Sequence, residues 1–165
     1  MIDVKELLSN IFFVNKFILI FFLIVLDFIS KQWIFFSLDL NNFIRITSFF
    51  DLAHIHNFGI SFGFFSGLYS PWIFIIIGII ITSLVFLMYF QSKKKLEKLG
   101  FLIIIAGALS NIFDRVINGF VIDFLYFHYK EFYWPAFNFA DIYISIGVSI
   151  IAIQLLNDLQ KRIKK

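Results

Sequence analysis

The sequence predicts an all-α membrane protein: four transmembrane helices, with small β and loop elements gathered at one face. Three observations lead there. Apolar residues make up 61% of the 165-residue chain, where a soluble domain is usually about half apolar. They lie in four long runs, each near the length that crosses a hydrocarbon core of about 30 Å. The basic residues gather at the ends of those runs, where they set topology. One domain over residues 1–165 is expected. The chain has no cysteine, which excludes disulfides and thiolate chemistry. Its net charge of +3 sits at span ends, so no nucleic-acid partner is expected.

Residues 1–16 mix polar and apolar side chains. The first span covers about residues 17–36. It contains Asp27 and Lys31, so it does not read as a simple apolar segment of a signal peptide. A loop rich in Asn, Asp, Ser and Gly follows over residues 37–70. Alternating pieces such as Phe43-Ile44-Arg45-Ile46-Thr47 predict a few short strands there. Pro71, well placed at a helix start, opens the second span to about residue 90. Residues 91–99 form a basic loop. The third span runs from about residue 100 to 117, where Asn118-Gly119 signals a stop. Residues 118–140 form a second polar and aromatic loop. The fourth span begins at Asp141 and runs to about residue 156. The N-terminus, the 91–99 loop and the C-terminus hold ten of the 14 Lys and Arg. The positive-inside rule therefore places both termini in the cytoplasm and both long loops outside.

Ionisable groups at membrane depth are costly and invite a functional reading. Asp27 and Lys31 are four apart, acid first, the favourable order for an ion pair on one helical face. They read as a structural pair or as a support for a site on the outer side. Asn57, Gly59, Ser61 and Phe62 form either a Gly-rich turn or a segment that lies against an extended substrate. His54 and His56 alternate with Asp51 nearby, but no third ligand at familiar spacing accompanies them, so no metal is expected. Ser110 lacks a neighbouring base for a nucleophilic role. With Gly107 and Ala108 it more simply permits close helix packing. Asp114 and Arg115 read as a structural pair closing the third helix, with Asn111 one turn earlier in the same network. Asp123 and Asp141 lie at one membrane face. Asp141 has a capping role open to it as a helix-start residue. As a close pair, the two carboxylates would share a proton. One would act as general base on a water while the other donates to a carbonyl.

The segments LDFISK, HNFGISFG, GALSNIFDRVINGFVIDF and WPAFNFADI, spread over four spans, together resemble bacterial lipoprotein signal peptidase (signal peptidase II). The likeness runs from about residue 20 to 155. It implies an aspartic endopeptidase of the bacterial inner membrane that cuts the signal peptide from prolipoproteins, just before a cysteine carrying diacylglycerol. The resemblance maps the catalytic acids to Asp123 and Asp141. It assigns Asp27, Lys31, Asn57, Gly59, Asn111, Asp114, Arg115, Asn138 and Ala140 to shaping the pocket and holding the dyad. It implies no cofactor, contact with membrane lipid, and inhibition by the cyclic peptide globomycin. The family tends to have Gly where this chain has Ser110. Two other function classes compete. A proton or cation relay should distribute acids across the bilayer's depth, and an assembly factor gives no reason for paired carboxylates on separate helices.

Overall fold

The computed structural model describes residues 4–59 and 70–164, residues 4–15 by backbone alone. Among the described residues there are four helices: α1 (Val4–Ser37), α2 (Pro71–Gln91), α3 (Lys95–Asn118) and α4 (Phe139–Ile163). Each holds a stretch long and apolar enough to cross a membrane. Among the described residues there are also four strands: β1 (Phe43–Arg45), β2 (Phe50–Asn57), β3 (Val121–Tyr129) and β4 (Phe132–Tyr133). They form one antiparallel sheet in chain order. The chain enters and leaves this sheet at the C-terminal ends of α1 and α3 and the N-terminal ends of α2 and α4, so the sheet caps one end of the bundle.

Helices cover the four ranges expected as spans and extend beyond them at the ends. Residues 95–99, expected in the basic loop, are the first turn of α3, and only Ser92–Lys94 break the helical path. Lys94 ties this break to the rest of the bundle by pairing with Glu97 and with Asp158 of α4. The fourth helix starts at Phe139 and continues to Ile163, because its amphipathic basic tail stays helical beyond the apolar run. Gly119 ends α3 as anticipated. Its φ of 79° is left-handed, and its N–H donates to the Arg115 carbonyl.

The principal departure is β3. Residues 121–129 were expected in a loop, yet they form a nine-residue strand. VIDFLYFHY is rich in β-branched and aromatic residues, which suit a pleated surface. Its first five residues are all buried, so no polar alternation advertises the strand. Phe124 and Leu125 both donate backbone N–H groups to the Phe137 carbonyl, and Phe137 donates back to Leu125. This bridge lays the segment before α4 alongside β3. Ile34, Ile122, Phe124 and Leu125 fill the core between α1 and the sheet.

α3 is the central helix: 56% of its apolar window is buried, against 17% in each of the other three. Its contact with α4 is close because glycines meet backbone there. A Cβ on Gly107 would run into the Ala140 carbonyl oxygen and the Ile144 side chain. Gly107→Ala is therefore expected to cost about 1–3 kcal/mol through overpacking. A lower Tm in detergent should report it; an unchanged Tm would mean that α3 and α4 part freely at this level.

Candidate active site

The site is built from the first turn of α4, the start of β3 and the polar ends of α1 and α3. Asn138 caps α4: its Oδ1 accepts from the Asp141 N–H (3.0 Å), and Asp141 Oδ2 accepts from the Asn138 N–H (3.2 Å). This reciprocal box satisfies backbone donors that a helix start would otherwise leave open. The capping role considered for Asp141 is thus present, with Asp141 as the third residue of the helix and Asn138 as its cap.

The same asparagine reaches the second carboxylate. Asn138 Nδ2 donates to Asp123 Oδ1 at 2.7 Å. Asn57 Nδ2 donates to the other oxygen, Asp123 Oδ2, at 2.9 Å. Asn57 pairs with Val121 across the β2–β3 ladder, so Asp123 is its diagonal neighbour on one sheet face, within side-chain reach. Asn111 Nδ2 in turn donates to Asp141 Oδ1 at 2.9 Å.

The orientation of all three amides follows from donors that cannot accept. The Asp141 N–H holds Asn138 Oδ1, the Gly59 N–H holds Asn57 Oδ1 at 2.9 Å, and the Lys31 ammonium holds Asn111 Oδ1 at 2.9 Å. Each Oδ1 is therefore committed, and each Nδ2 must face a carboxylate. The aspartates are held by asparagine amides that have no second way to turn.

Behind them lies a buried ionic cluster. Lys31 Nζ contacts Asp27 Oδ2 at 2.6 Å and Asp114 Oδ2 at 2.8 Å, with Lys31 and Asp27 fully buried. Asn111 Oδ1 accepts a hydrogen bond from the same ammonium group. Asp27 Oδ1 accepts from the Ala140 N–H at 2.9 Å, which binds α1 to the N-terminus of α4 and adds a carboxylate where the helix dipole favours one. Ser110 Oγ donates to Asp27 Oδ2 at 2.5 Å.

Asp123 and Asp141 line one cavity of about 350 Å³ with Asn57, Asn111 and Arg115. Its far wall is apolar, made by Phe74, Ile77 and Ile81 of α2 and Ile112 of α3. Burial, and then the Asp141 carboxylate, push Asp123 up to about 7, against the opposing pull of the Asn57 and Asn138 amides. Its proton therefore moves near neutral pH rather than near the usual carboxylate range.

A family model described as signal peptidase (SPase) II matches residues 19–157. The chain belongs to the signal peptidase II family. Relatives bearing the name lipoprotein signal peptidase include that of Pseudoalteromonas atlantica, 40% identical over 138 residues, covering 81% of this chain and 84% of the relative. That of Thermodesulfovibrio yellowstonii is 40% identical over 129 residues, covering 78% and 86%. Among solved structures, a bacterial membrane enzyme determined by the in meso method at 2.3 Å is 28% identical with a TM-score of 0.80, covering 89% of this chain and 90% of that one. A second such enzyme, at 1.9 Å, is also 28% identical with a TM-score of 0.75, covering 87% and 94%. The chain is thus a signal peptidase II family protease with four helices able to span a membrane.

All eleven site residues expected in this signal peptidase II chain fall in one connected network at the sheet end of the bundle. The partner of Asp114 differs from expectation. It pairs with Lys31, 83 positions earlier, and not with adjacent Arg115. Neighbours on a helix point about a quarter-turn apart, so they do not face each other. Arg115 instead donates Nη2 to the Gly59 carbonyl at 2.6 Å and Nη1 to the Asn111 carbonyl at 3.2 Å. Ser61 and Phe62, grouped with Gly59 in the sequence, lie outside the described residues.

Ser110 does more than allow close packing, since its hydroxyl braces Asp27. Spacing carries no sign of that bond, because Asp27 lies on another helix. His54 and His56 also take a different role from metal binding. His54 Nδ1 meets the Leu38 carbonyl at 2.6 Å, so Nδ1 carries the proton and Nε2 accepts from His56 Nε2 at 3.0 Å. Burial, then His54, push His56 down to about 4, so it donates as a neutral ring. His54 Nδ1 thus fastens β2 to Leu38, the residue after α1, while its Nε2 is engaged by His56 of the same strand. Asp51 turns to His128 instead, at 3.3 Å.

Proposed function

We propose that this protein removes the signal peptide from diacylglyceryl-modified prolipoproteins, cutting just before the lipidated cysteine. Water is activated between Asp123 and Asp141. The observation that carries the reading is Asn138, which joins both carboxylates at the wall of one cavity while capping α4. Two carboxyl groups so placed cannot both ionise cheaply, so the pair holds one proton and titrates as a unit. The ionised member takes a proton from water as it attacks the scissile carbonyl. The protonated member donates to the developing oxyanion. As the tetrahedral intermediate collapses, a proton passes to the departing amine.

The family likeness supports the substrate class, and the site supports the chemistry. The apolar wall from α2 suits the signal segment, itself a membrane helix. Asp27, Lys31, Ser110 and Asp114 support the pair from behind the cavity, and Asn111 holds Asp141 from its wall. Globomycin-type inhibitors would compete for the same cavity. Lys93, Lys94, Lys95, Lys98, Lys161, Arg162 and Lys164 lie toward the end away from the sheet. The positive-inside rule then supports cytoplasmic termini and a site at the outer face of a bacterial inner membrane.

The test is cleavage of a diacylglyceryl-modified prolipoprotein by the purified protein in detergent, with mass spectrometry of both products. A new N-terminal cysteine is expected. Well-folded protein that cleaves nothing, or cuts elsewhere, would sink the reading.

The pH profile gives a second check. With Asp123 raised to about 7, the doubly ionised pair accumulates above that pH, so the alkaline limb of kcat/KM is expected near neutrality. The Asn57 amide favours the charged form, and its removal raises Asp123 further. In Asn57→Ala the limb should therefore move to higher pH; movement to lower pH would contradict the assignment. Folding follows the same sign. The folded state favours protonated Asp123, so its contribution is full below the unfolded carboxyl's range and is lost as pH rises through about 7.

A further inference from the structure

Asp141 and Ile144 line two cavities, one on each flank of α4. The first is the cavity shared with Asp123. The second, about 470 Å³, lies between α4 and residues 134–137, against Trp134, Phe137, Ile142 and Ser145. Trp134 and Phe137 also line a third cavity of about 520 Å³, on the sheet, with Phe49, Phe127 and Phe132. Shared walls join the three in series. A largely apolar series of adjoining cavities thus leads from the carboxylates, past Asp141 and Ser145, to an aromatic cleft on β3 and β4. Backbone pairing fixes the shared wall against β3: the Trp134 N–H donates to the Phe127 carbonyl at 2.8 Å, and Phe137 is bridged to Leu125.

We propose that this path seats an acyl chain of the substrate's diacylglyceryl group, with Trp134 as the residue that directs it. The proposal rests on the peptidase reading above and deepens it. Continuity with the reaction cavity is the argument for this occupant. The lipidated cysteine adjoins the scissile bond, so its chains must leave the site beside the carboxylates, and the second cavity opens there. A chain leaving hydrocarbon for an aromatic cleft gains little from the hydrophobic effect. What the path supplies is direction: a chain laid along α4 on one side of Asp141 leaves the peptide bond in the cavity on the other. Binding remote from the reacting atoms is then spent on their orientation.

The experiment compares diacetyl and dipalmitoyl forms of one diacylglyceryl-modified prolipoprotein, using the full-length protein in detergent. The readout is the ratio of their kcat/KM values, with Tm recorded for each variant. Wild type is expected to favour the long-chain form by about tenfold or more. In Trp134→Ala that ratio should collapse toward one, and Trp134→Phe should restore most of it. Ser145→Trp, which fills the path from the exposed face of α4, should collapse it independently. A wild-type ratio near one would overturn the proposal, and so would an unchanged ratio in well-folded Trp134→Ala and Ser145→Trp, which would leave the path to bulk lipid alone. Failure of wild type to cleave either form would overturn the peptidase reading and the proposal with it.

Discussion

Asp123→Asn is expected to lose at least about 10³-fold in kcat while remaining folded, because it removes one partner of the proposed acid–base pair. The substitution is nearly isosteric, but it is not silent for stability. Asp123 accepts one amide N–H at each oxygen, from Asn138 and from Asn57. An asparagine there keeps one acceptor and turns an NH2 group toward the other donor. Neither amide can rotate to relieve the clash, since Asp141 N–H and Gly59 N–H already hold their oxygens. Leaving one buried donor unmet costs about 1–3 kcal/mol. A cleavage assay and a thermal melt in the same detergent separate the two effects. Turnover near the wild-type rate would remove Asp123 from the reaction; a complete failure to fold would show that the network tolerates no mismatch.

Lys31→Met is expected to be the most damaging single change to the fold. Lys31 is fully buried, lies against the carboxylates of Asp27 and Asp114, and donates to Asn111. Removing it leaves two carboxylates facing each other with no cation between them. Breaking a buried pair by deleting one partner costs about 3–5 kcal/mol. A large fall in Tm and in monodisperse protein on size exclusion should follow. Adding Asp114→Asn should recover part of the loss, because it removes one of the two stranded charges, and the two effects should be non-additive. Activity should stay low even in the rescued variant, since nothing then orients the Asn111 amide toward Asp141. A Lys31→Met protein with wild-type Tm would show that water or a proton already neutralises the cluster.

Much of this architecture is legible in one dimension. The four spans follow from run length, because a bilayer demands a continuous apolar stretch and backbone bonds closed within it. Pro71 and Gly119 mark helix ends through their own backbone preferences. The Asp27–Lys31 pair follows from helical spacing, and the short strands of 43–57 from alternation. The motif segments were enough to point to the family and to the eleven residues that the fold brings together.

Other features have no local signature. β3 is buried at each of its first five residues, so the period that marks a half-exposed strand is absent. The longer extents of α3 and α4 depend on packing against neighbours, which polar composition at their ends disguises. Asp114 looks to its adjacent arginine in the chain, yet its partner is a lysine on α1, since side chains on one helix meet three or four positions apart. Ser110 passes for a packing residue until α1 brings Asp27 against it. Which charged and polar types were present, and at which end of which span, was therefore decided by composition and period. Which of them touch, and which way each asparagine amide points, was decided by helices and strands from opposite ends of the chain meeting at one place, because an amide's direction is set by the donors around it.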